Sequence, residues 1–274
     1  MKKIIKKIIN EVRNTGERPI LNTEFEKIDP VLQFAYQFAA KRIEKNHSVL
    51  DYGCGGGYGT EYLSRFTGEN VVGFDIDKST IKINNNFYKA KENLKFISSE
   101  NDLEQCDLVT SFQVIEHLKF GLSKKYLQSI KNLVKENGTF LLATVNKNVT
   151  SYNLKHPTMP FHVYEYEPDE LKDLLEKYYN SVSCFGQIDN ITRKKVGDSN
   201  WSFKNRKKTM NEKILIFISQ IRVARAIARH LPLFVKQLFF GEKKGSRPRY
   251  EYILAMDKKE IDNSYILIYE CRNI

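Results

Sequence analysis

Val49-Leu-Asp-Tyr-Gly-Cys-Gly-Gly-Gly-Tyr-Gly59 is a short apolar run that ends in an acid and breaks at once into a glycine-rich turn. Glycine permits a strand-to-helix turn with positive φ and lets a ligand approach the backbone closely. The next apolar run, Val71-Val-Gly-Phe-Asp75, also ends in a carboxylate, 24 residues after Asp51. An acid at that place can accept hydrogen bonds from both hydroxyls of a ribose. Outward from this pair, β-like runs at 48–52, 70–75, 94–98, 108–112 and 139–145 alternate with helical patterns. The helices are expected near 59–66, 78–89, 114–118 and 124–134. Such alternation predicts an α/β, doubly wound, Rossmann-like sheet whose ligands bind at the carboxyl ends of the strands.

A helix over 29–45, with Asp29 as cap and Pro30 in its first turn, precedes the sheet. A helix at 169–179 and a strand at 181–185 follow it, and strand signals return at 250–256 and 264–271. The organisation is read as N-terminal helices over a ligand site (1–45), a core (46–187), a basic helical insertion (188–249) and the final strands of the core (250–274). The 274 residues are 41% hydrophobic and 28% charged, a globular rather than disordered composition. No apolar run reaches the roughly 18 residues of a transmembrane helix. Residues 1–13 alternate lysine and isoleucine pairs, unlike a secretory signal. Cys54, Cys106, Cys184 and Cys271 are scattered without metal or disulfide spacing, and a cytoplasmic protein is expected.

The net charge of +11 is unevenly placed: residues 191–249 carry sixteen Lys or Arg against three acids. Within them Arg222, Arg225 and Arg229 share one helical face, and an aromatic-aliphatic patch follows over 231–240. A basic amphipathic segment of this kind suits peripheral contact with an anionic membrane surface through 213–244, or a phosphorylated or lipid-linked substrate. It also suits a lid over the acceptor site, a dimer contact or an ordinary solvated helix. Nucleic acid is a weaker expectation, since charge alone gives only sequence-independent affinity.

Asp51-x-Gly-x-Gly-x-Gly57, with Asp75 ending the second strand, resembles the class I S-adenosylmethionine-dependent methyltransferases over residues 45–185 and 264–271. A nicotinamide-binding domain shares the logic but spaces its glycines as G-x-G-x-x-G, without an acid just before the loop. The resemblance implies a seven-stranded sheet with the last strand antiparallel, and S-adenosylmethionine as cofactor. It implies that Asp51 orients the methionine amino group and that Gly53, Gly55 and Gly57 line the amino-acid moiety. It further implies that Asp75 holds the ribose, that Asp102 in Ser99–Asp102 meets adenine, and that Gln113 lies near the methionine moiety.

Methyl transfer is an in-line displacement in which the protein positions the acceptor and handles its proton. Of five histidines, His117 in Phe112-Gln-Val-Ile-Glu-His-Leu118 and His162 in Met159-Pro-Phe-His-Val-Tyr-Glu165 fall on the ligand-binding rim, and both are candidate bases. His47 and His230 are read as structural or surface residues. Asn146, Tyr152, Tyr164 and Tyr166 are candidate acceptor-pocket residues. The two rim segments resemble methyltransferases of ubiquinone biosynthesis and of bacterial glycan modification. Small-RNA 2′-O-methyltransferases hold a divalent metal with Glu-x-x-Glu-His and a later histidine. Here Glu116, His117 and His162 match, but Gln113 replaces the first glutamate and removes a charge from a hard-cation site. No metal is therefore expected. The expected function is O-methylation of a saccharide or related small metabolite in cell-surface glycan biosynthesis. Metal-assisted RNA methylation and a cofactor-binding membrane scaffold without turnover are the alternatives.

Overall fold

The computed structural model describes residues 20–198, 201–208, 210–220 and 251–273. The lysine-isoleucine helix read at 2–13, the arginine face at 222–229 and the apolar patch at 231–240 lie outside the described residues.

Eight strands form one sheet: β1 (Val49–Tyr52), β2 (Val71–Phe74), β3 (Leu94–Ile97), β4 (Cys106–Phe112), β5 (Val134–Val145), β6 (Ser181–Asp189), β7 (Tyr252–Ala255) and β8 (Ile266–Arg272). Their order is β3-β2-β1-β4-β5-β8-β6-β7. The strands from β3 across to β5 are parallel, and β8 runs antiparallel to both β5 and β6. The sheet thus has eight strands where seven were expected. The extra one is β7, which pairs antiparallel with β6 through Ile188↔Ile253 and Asp189↔Tyr252. That pairing extends β6 to Asp189, so the inserted segment begins later than residue 188. The helix expected at 114–118 is a single 3-10 turn, Ile115–His117. Gln113, with φ +57°, turns the chain out of helical geometry just before it.

Successive residues of the central strands face opposite sides of the sheet and divide the core in two. Leu50, Val109 and Leu142 join Leu127 and Ile130 of α4 (Phe120–Leu133) and Leu171 and Leu175 of α6 (Pro168–Leu175). Val49, Leu108 and Leu141 join Phe38 and Ala39 of α1 (Pro30–Ala40) and Leu63 of α2 (Tyr58–Ser64). Helix α1 begins as the sequence indicates: Asp29 Oδ1 accepts from the Val31 amide at 3.0 Å, and Pro30 opens the first turn. Helix α3 (Lys78–Phe87) packs beside β3, and the short α5 (Lys147–Thr150) opens with the Lys147 amide donating to the Tyr166 carbonyl at 3.0 Å. Helices α7 (Asn190–Asp198) and α9 (Lys258–Asp262) pack against β6, while Gln220 at the end of α8 (Met210–Gln220) exchanges hydrogen bonds with the His156 backbone at 3.1 Å. No helix among the described residues is long and apolar enough to cross a membrane. The carboxyl ends of β1, β2 and β4 carry the glycine loop, Asp75 and the Gln113–His117 turn along one rim.

Candidate active site

Asp51 is 1% exposed at the end of β1. Its carboxylate accepts from the Thr60 hydroxyl at 2.7 Å, the Thr110 hydroxyl at 2.9 Å and the Tyr36 hydroxyl at 3.3 Å. It therefore ties β1 to β4, α1 and α2 from beneath the glycine loop, and it is not part of the cavity wall. Burial raises its pKa to about 6, against the pull of the three hydroxyls. The native state binds this proton more tightly than the unfolded chain does. The stability it confers is full below about pH 3.8 and lost as pH rises through 6. Relative to Asp51→Asn, whose amide the same hydroxyls can bond, the wild type should gain up to about 3 kcal/mol between pH 7 and pH 4. Paired denaturant melts across that range check this, and a pH-independent difference would contradict the buried-acid assignment.

Gly53 adopts φ +86°, and a Cβ there would lie 2.5 Å from the Val114 side chain. Two constraints, left-handed backbone and a close wall, thus require glycine at this position. Gly57 is the left-handed cap of α2. The amides of Gly53 and Cys54 donate to the Phe74 carbonyl at 2.7 and 2.9 Å, which docks the loop against the end of β2. Beside it, Asp75 Oδ2 accepts from the Gly55 amide at 3.1 Å and Oδ1 from the Asp77 amide at 2.8 Å. Burial pushes its pKa upward.

Gly53, Gly55, Asp75, Gln113 and His117 all line one cavity of about 330 Å³. Val31, Leu32, Ala35 and Tyr36 of α1 form its opposite wall, with Ile20 at the loop side. A Cβ on Gly56 would meet the Ile20 carbonyl at 1.6 Å, so the segment before α1 crosses directly over the loop. That segment is held down by Phe25 stacked on Tyr62 at 3.8 Å and by Arg65 bridging Glu26 and Glu61. The cavity has the size and mostly apolar lining of a small-molecule site. Asp75 is the carboxylate in its wall, and each of its oxygens keeps a lone pair beyond its amide bond. These residues fit S-adenosylmethionine: an acid for the ribose hydroxyls beside a loop that leaves backbone room.

At the far end His117 and His162 meet edge to face, with ring centroids 5.3 Å apart and both rings buried. The Glu116 carbonyl brings them together by accepting from the Val163 amide at 2.7 Å and the Tyr164 amide at 3.1 Å. His117 Nδ1 lies 3.3 Å from the Phe161 carbonyl, and His162 Nδ1 lies 2.5 Å from Glu165 Oε1. A carbonyl and a carboxylate oxygen accept in these contacts, so Nδ1 is the donor in each. Glu165 is itself fixed by the hydroxyls of Thr150, at 2.5 Å, and Ser151. Hydrogen bonds from His162, Ser151 and Thr150 hold its pKa below the usual range despite burial. Glu116 is fully buried. Its Oε2 accepts from the Thr144 hydroxyl at 2.9 Å, while Oε1 has no hydrogen-bond partner among the described residues. Burial pushes the Glu116 pKa up.

The structure thus brings Gly53, Gly55, Asp75, Gln113 and His117 to one cavity, with Asp51, Gly57 and His162 behind its wall. Asp102 is exposed at the end of a 3-10 turn (Glu100–Asp102) and does not line the cavity. The neighbouring Glu100 instead bonds the hydroxyl of Tyr52, which does. None of Asn146, Tyr152, Tyr164 and Tyr166 lines it. Asn146 is a buried cap whose amide nitrogen donates to the carbonyls of Ile261 and Ser264. Tyr166 is core. Sequence reasoning missed Glu165, although it lies three residues after His162 in the quoted segment, and it missed the wall contributed by Tyr36 and Tyr126.

A family model described as a methyltransferase domain matches residues 25–179. The chain is 30% identical over 161 residues to a mitochondrial ubiquinone biosynthesis O-methyltransferase of Dictyostelium discoideum, covering 50% of this chain and 49% of that protein. It is also 30% identical over 164 residues to a probable S-adenosylmethionine-dependent methyltransferase of Mycobacterium tuberculosis, covering 59% of this chain and 58% of the relative. The chain therefore spans about half to three-fifths of the length of these relatives. Among solved structures, the YcgJ protein of Bacillus subtilis matches with a TM-score of 0.51 at 17% identity, covering 88% of this chain and 98% of that one, a likeness of fold. From the 3-10 turn that opens at Phe25 to the residues just past α6, the chain belongs to the methyltransferase-domain family, of the class I, S-adenosylmethionine-dependent kind.

Proposed function

We propose that the protein transfers the methyl group of S-adenosylmethionine to an oxygen of a small hydroxylated molecule, a saccharide or related metabolite. The observation that carries this reading is one cavity lined by Asp75, the glycine loop and His117 together. The cofactor, when bound, supplies a methyl carbon activated by its sulfonium. Asp75 accepts the ribose hydroxyls, and the Gly53–Gly56 backbone leaves room for the amino-acid end. Tyr36 and α1 close the apolar wall and exclude water from the transfer path. His117, in the cavity lining, is placed to take the proton that the acceptor oxygen loses, with His162 and Glu165 behind it. Oxygen as the methylated atom is supported by the names of the ubiquinone-pathway relatives. The positive charge of residues 191–249 favours an acceptor that carries phosphate, free or lipid-linked.

The test is transfer of labelled methyl from S-adenosylmethionine into fractionated extract. Label in small-molecule, sugar-nucleotide or glycolipid fractions supports the reading. Label confined to RNA, or cofactor binding with no transfer to any fraction, overturns it.

A further inference from the structure

Helix α8 has two unlike sides. At helical spacing Met210, Lys213 and Phe217 fall within one sector of roughly 60°, and Ser219 lies opposite Met210. Burial follows the same division. Ser219 is buried, whereas Met210 and Phe217 are 70% and 69% exposed, with Lys213 exposed between them. At its end the helix is clamped: the Gln220 side chain accepts from the His156 amide and donates to the His156 carbonyl. One exposed apolar side chain is ordinary, but two in register on the outer face of a helix whose far side is packed point to a contact surface.

The charge beside this face is one-sided. Residues 204–217 hold five cations, Lys204, Arg206, Lys207, Lys208 and Lys213, and a single acid, Glu212. Glu212 is paired with Arg206 at 2.6 Å, and its place in the helix is turned about 160° from Met210. None of the four lysines forms an ion pair among the described residues. Lys207 and Lys208 come just before the first turn of α8, where the helix dipole disfavours a cation, so they do not serve the helix itself.

We propose that this face docks on a bilayer that carries anionic lipid. Met210 and Phe217 enter the boundary between headgroups and acyl chains, and Lys204, Lys207, Lys208 and Lys213 meet the negative headgroups. A bilayer satisfies both halves of the surface, since an apolar interior lies directly beneath its charge. A polyanion such as RNA meets the lysines but offers Met210 no apolar interior. The contact is peripheral, because no described helix is long and apolar enough to cross a membrane. Through the Gln220 clamp the docked helix holds the loop that leads from His156 to His162. The inference concerns binding alone and does not rest on the methyl-transfer reading.

The experiment mixes the full chain with vesicles of phosphatidylcholine, or of phosphatidylcholine with about 30% phosphatidylglycerol, each carrying a trace of dansyl lipid. Energy transfer from Trp201, the one tryptophan of the chain, reads binding. Affinity for the anionic vesicles should exceed that for the neutral ones about 10-fold or more. Met210→Ser with Phe217→Ser, which leaves the charge unchanged, should weaken binding to the anionic vesicles about 10-fold. Lys207→Glu with Lys208→Glu should do the same with the apolar pair intact. Melting temperatures should match wild type, since none of these side chains is buried. If the serine pair melts early, Phe217→Gln alone replaces it. Serine variants that bind anionic vesicles as the wild type does would overturn the face. So would a chain that binds a single-stranded RNA oligonucleotide but not the vesicles, or one that binds neither. Vesicle binding without methyl transfer would sink the transferase reading alone, and transfer without vesicle binding would sink the docking face alone.

Discussion

Asp75→Ala is expected to weaken S-adenosylmethionine binding by about 100-fold or more. The carboxylate lies in the cavity wall at the end of β2, with both oxygens already oriented by the Gly55 and Asp77 amides. Two ribose hydroxyls donating to it would make charge-assisted bonds worth about 1.5–3 kcal/mol each. The loss is larger than one bond because alanine also leaves the Gly55 amide without its acceptor and loosens the loop that must be fixed before the cofactor arrives. Asp75→Asn separates the two effects: it keeps an acceptor for Gly55 and should bind with intermediate affinity. Calorimetric titration with S-adenosylhomocysteine measures all three proteins. An alanine variant within threefold of wild type would remove Asp75 from the cofactor site.

His117→Ala should lower kcat by about 10² to 10⁴ while cofactor affinity changes little. Loss of a positioned proton acceptor costs a factor of this size. The imidazole is 8% exposed and follows β4, which β1 separates from β2 and Asp75, so it is not the group assigned to the ribose. The readout is the split between kcat and cofactor Kd in the labelled-methyl assay. A variant with wild-type kcat would show that the buried ring serves packing against His162 only.

Strand-end logic made the rim legible. Asp51 closes the apolar run of β1, Asp75 and Gln113 directly follow β2 and β4, and His117 ends the turn after β4, so once these strands are read in parallel their ends must share an edge. The sequence also marked the cap of α1 and the charge imbalance. What it hid depends on loops and on distant hydroxyls. Glu165 reaches His162 only because the Glu116 carbonyl draws the 162–165 loop down onto the rim. Asp51 reads as a cofactor ligand by its place before the glycines, yet its three hydroxyl partners come from α1, α2 and β4 and hold it beneath the loop. Asp102 follows β3 in the expected way, but the 3-10 turn carries it out to solvent. The eighth strand was visible as an apolar run at 250–256. Its pairing with β6 was not, because an edge partner across an intervening basic segment leaves no local signal.

The placement of β8 between β5 and β6 bears on how the molecule is made as well as how it works. On the ribosome, β1 to β5 emerge in order and can assemble as a parallel half-sheet. Strand β6, however, has no neighbour to pair with until β7 is synthesised, and the outer edge of β5 stays bare until β8 follows. A nascent chain at that stage carries open edges of apolar sequence, including Phe140, Leu141 and Leu142, which favour aggregation and chaperone capture. The strand that ends this exposure is non-local to both of its partners, and such pairing pays its loop-closure entropy before any contact rewards it. Until it docks, nothing joins β6 and β7 to the parallel strands.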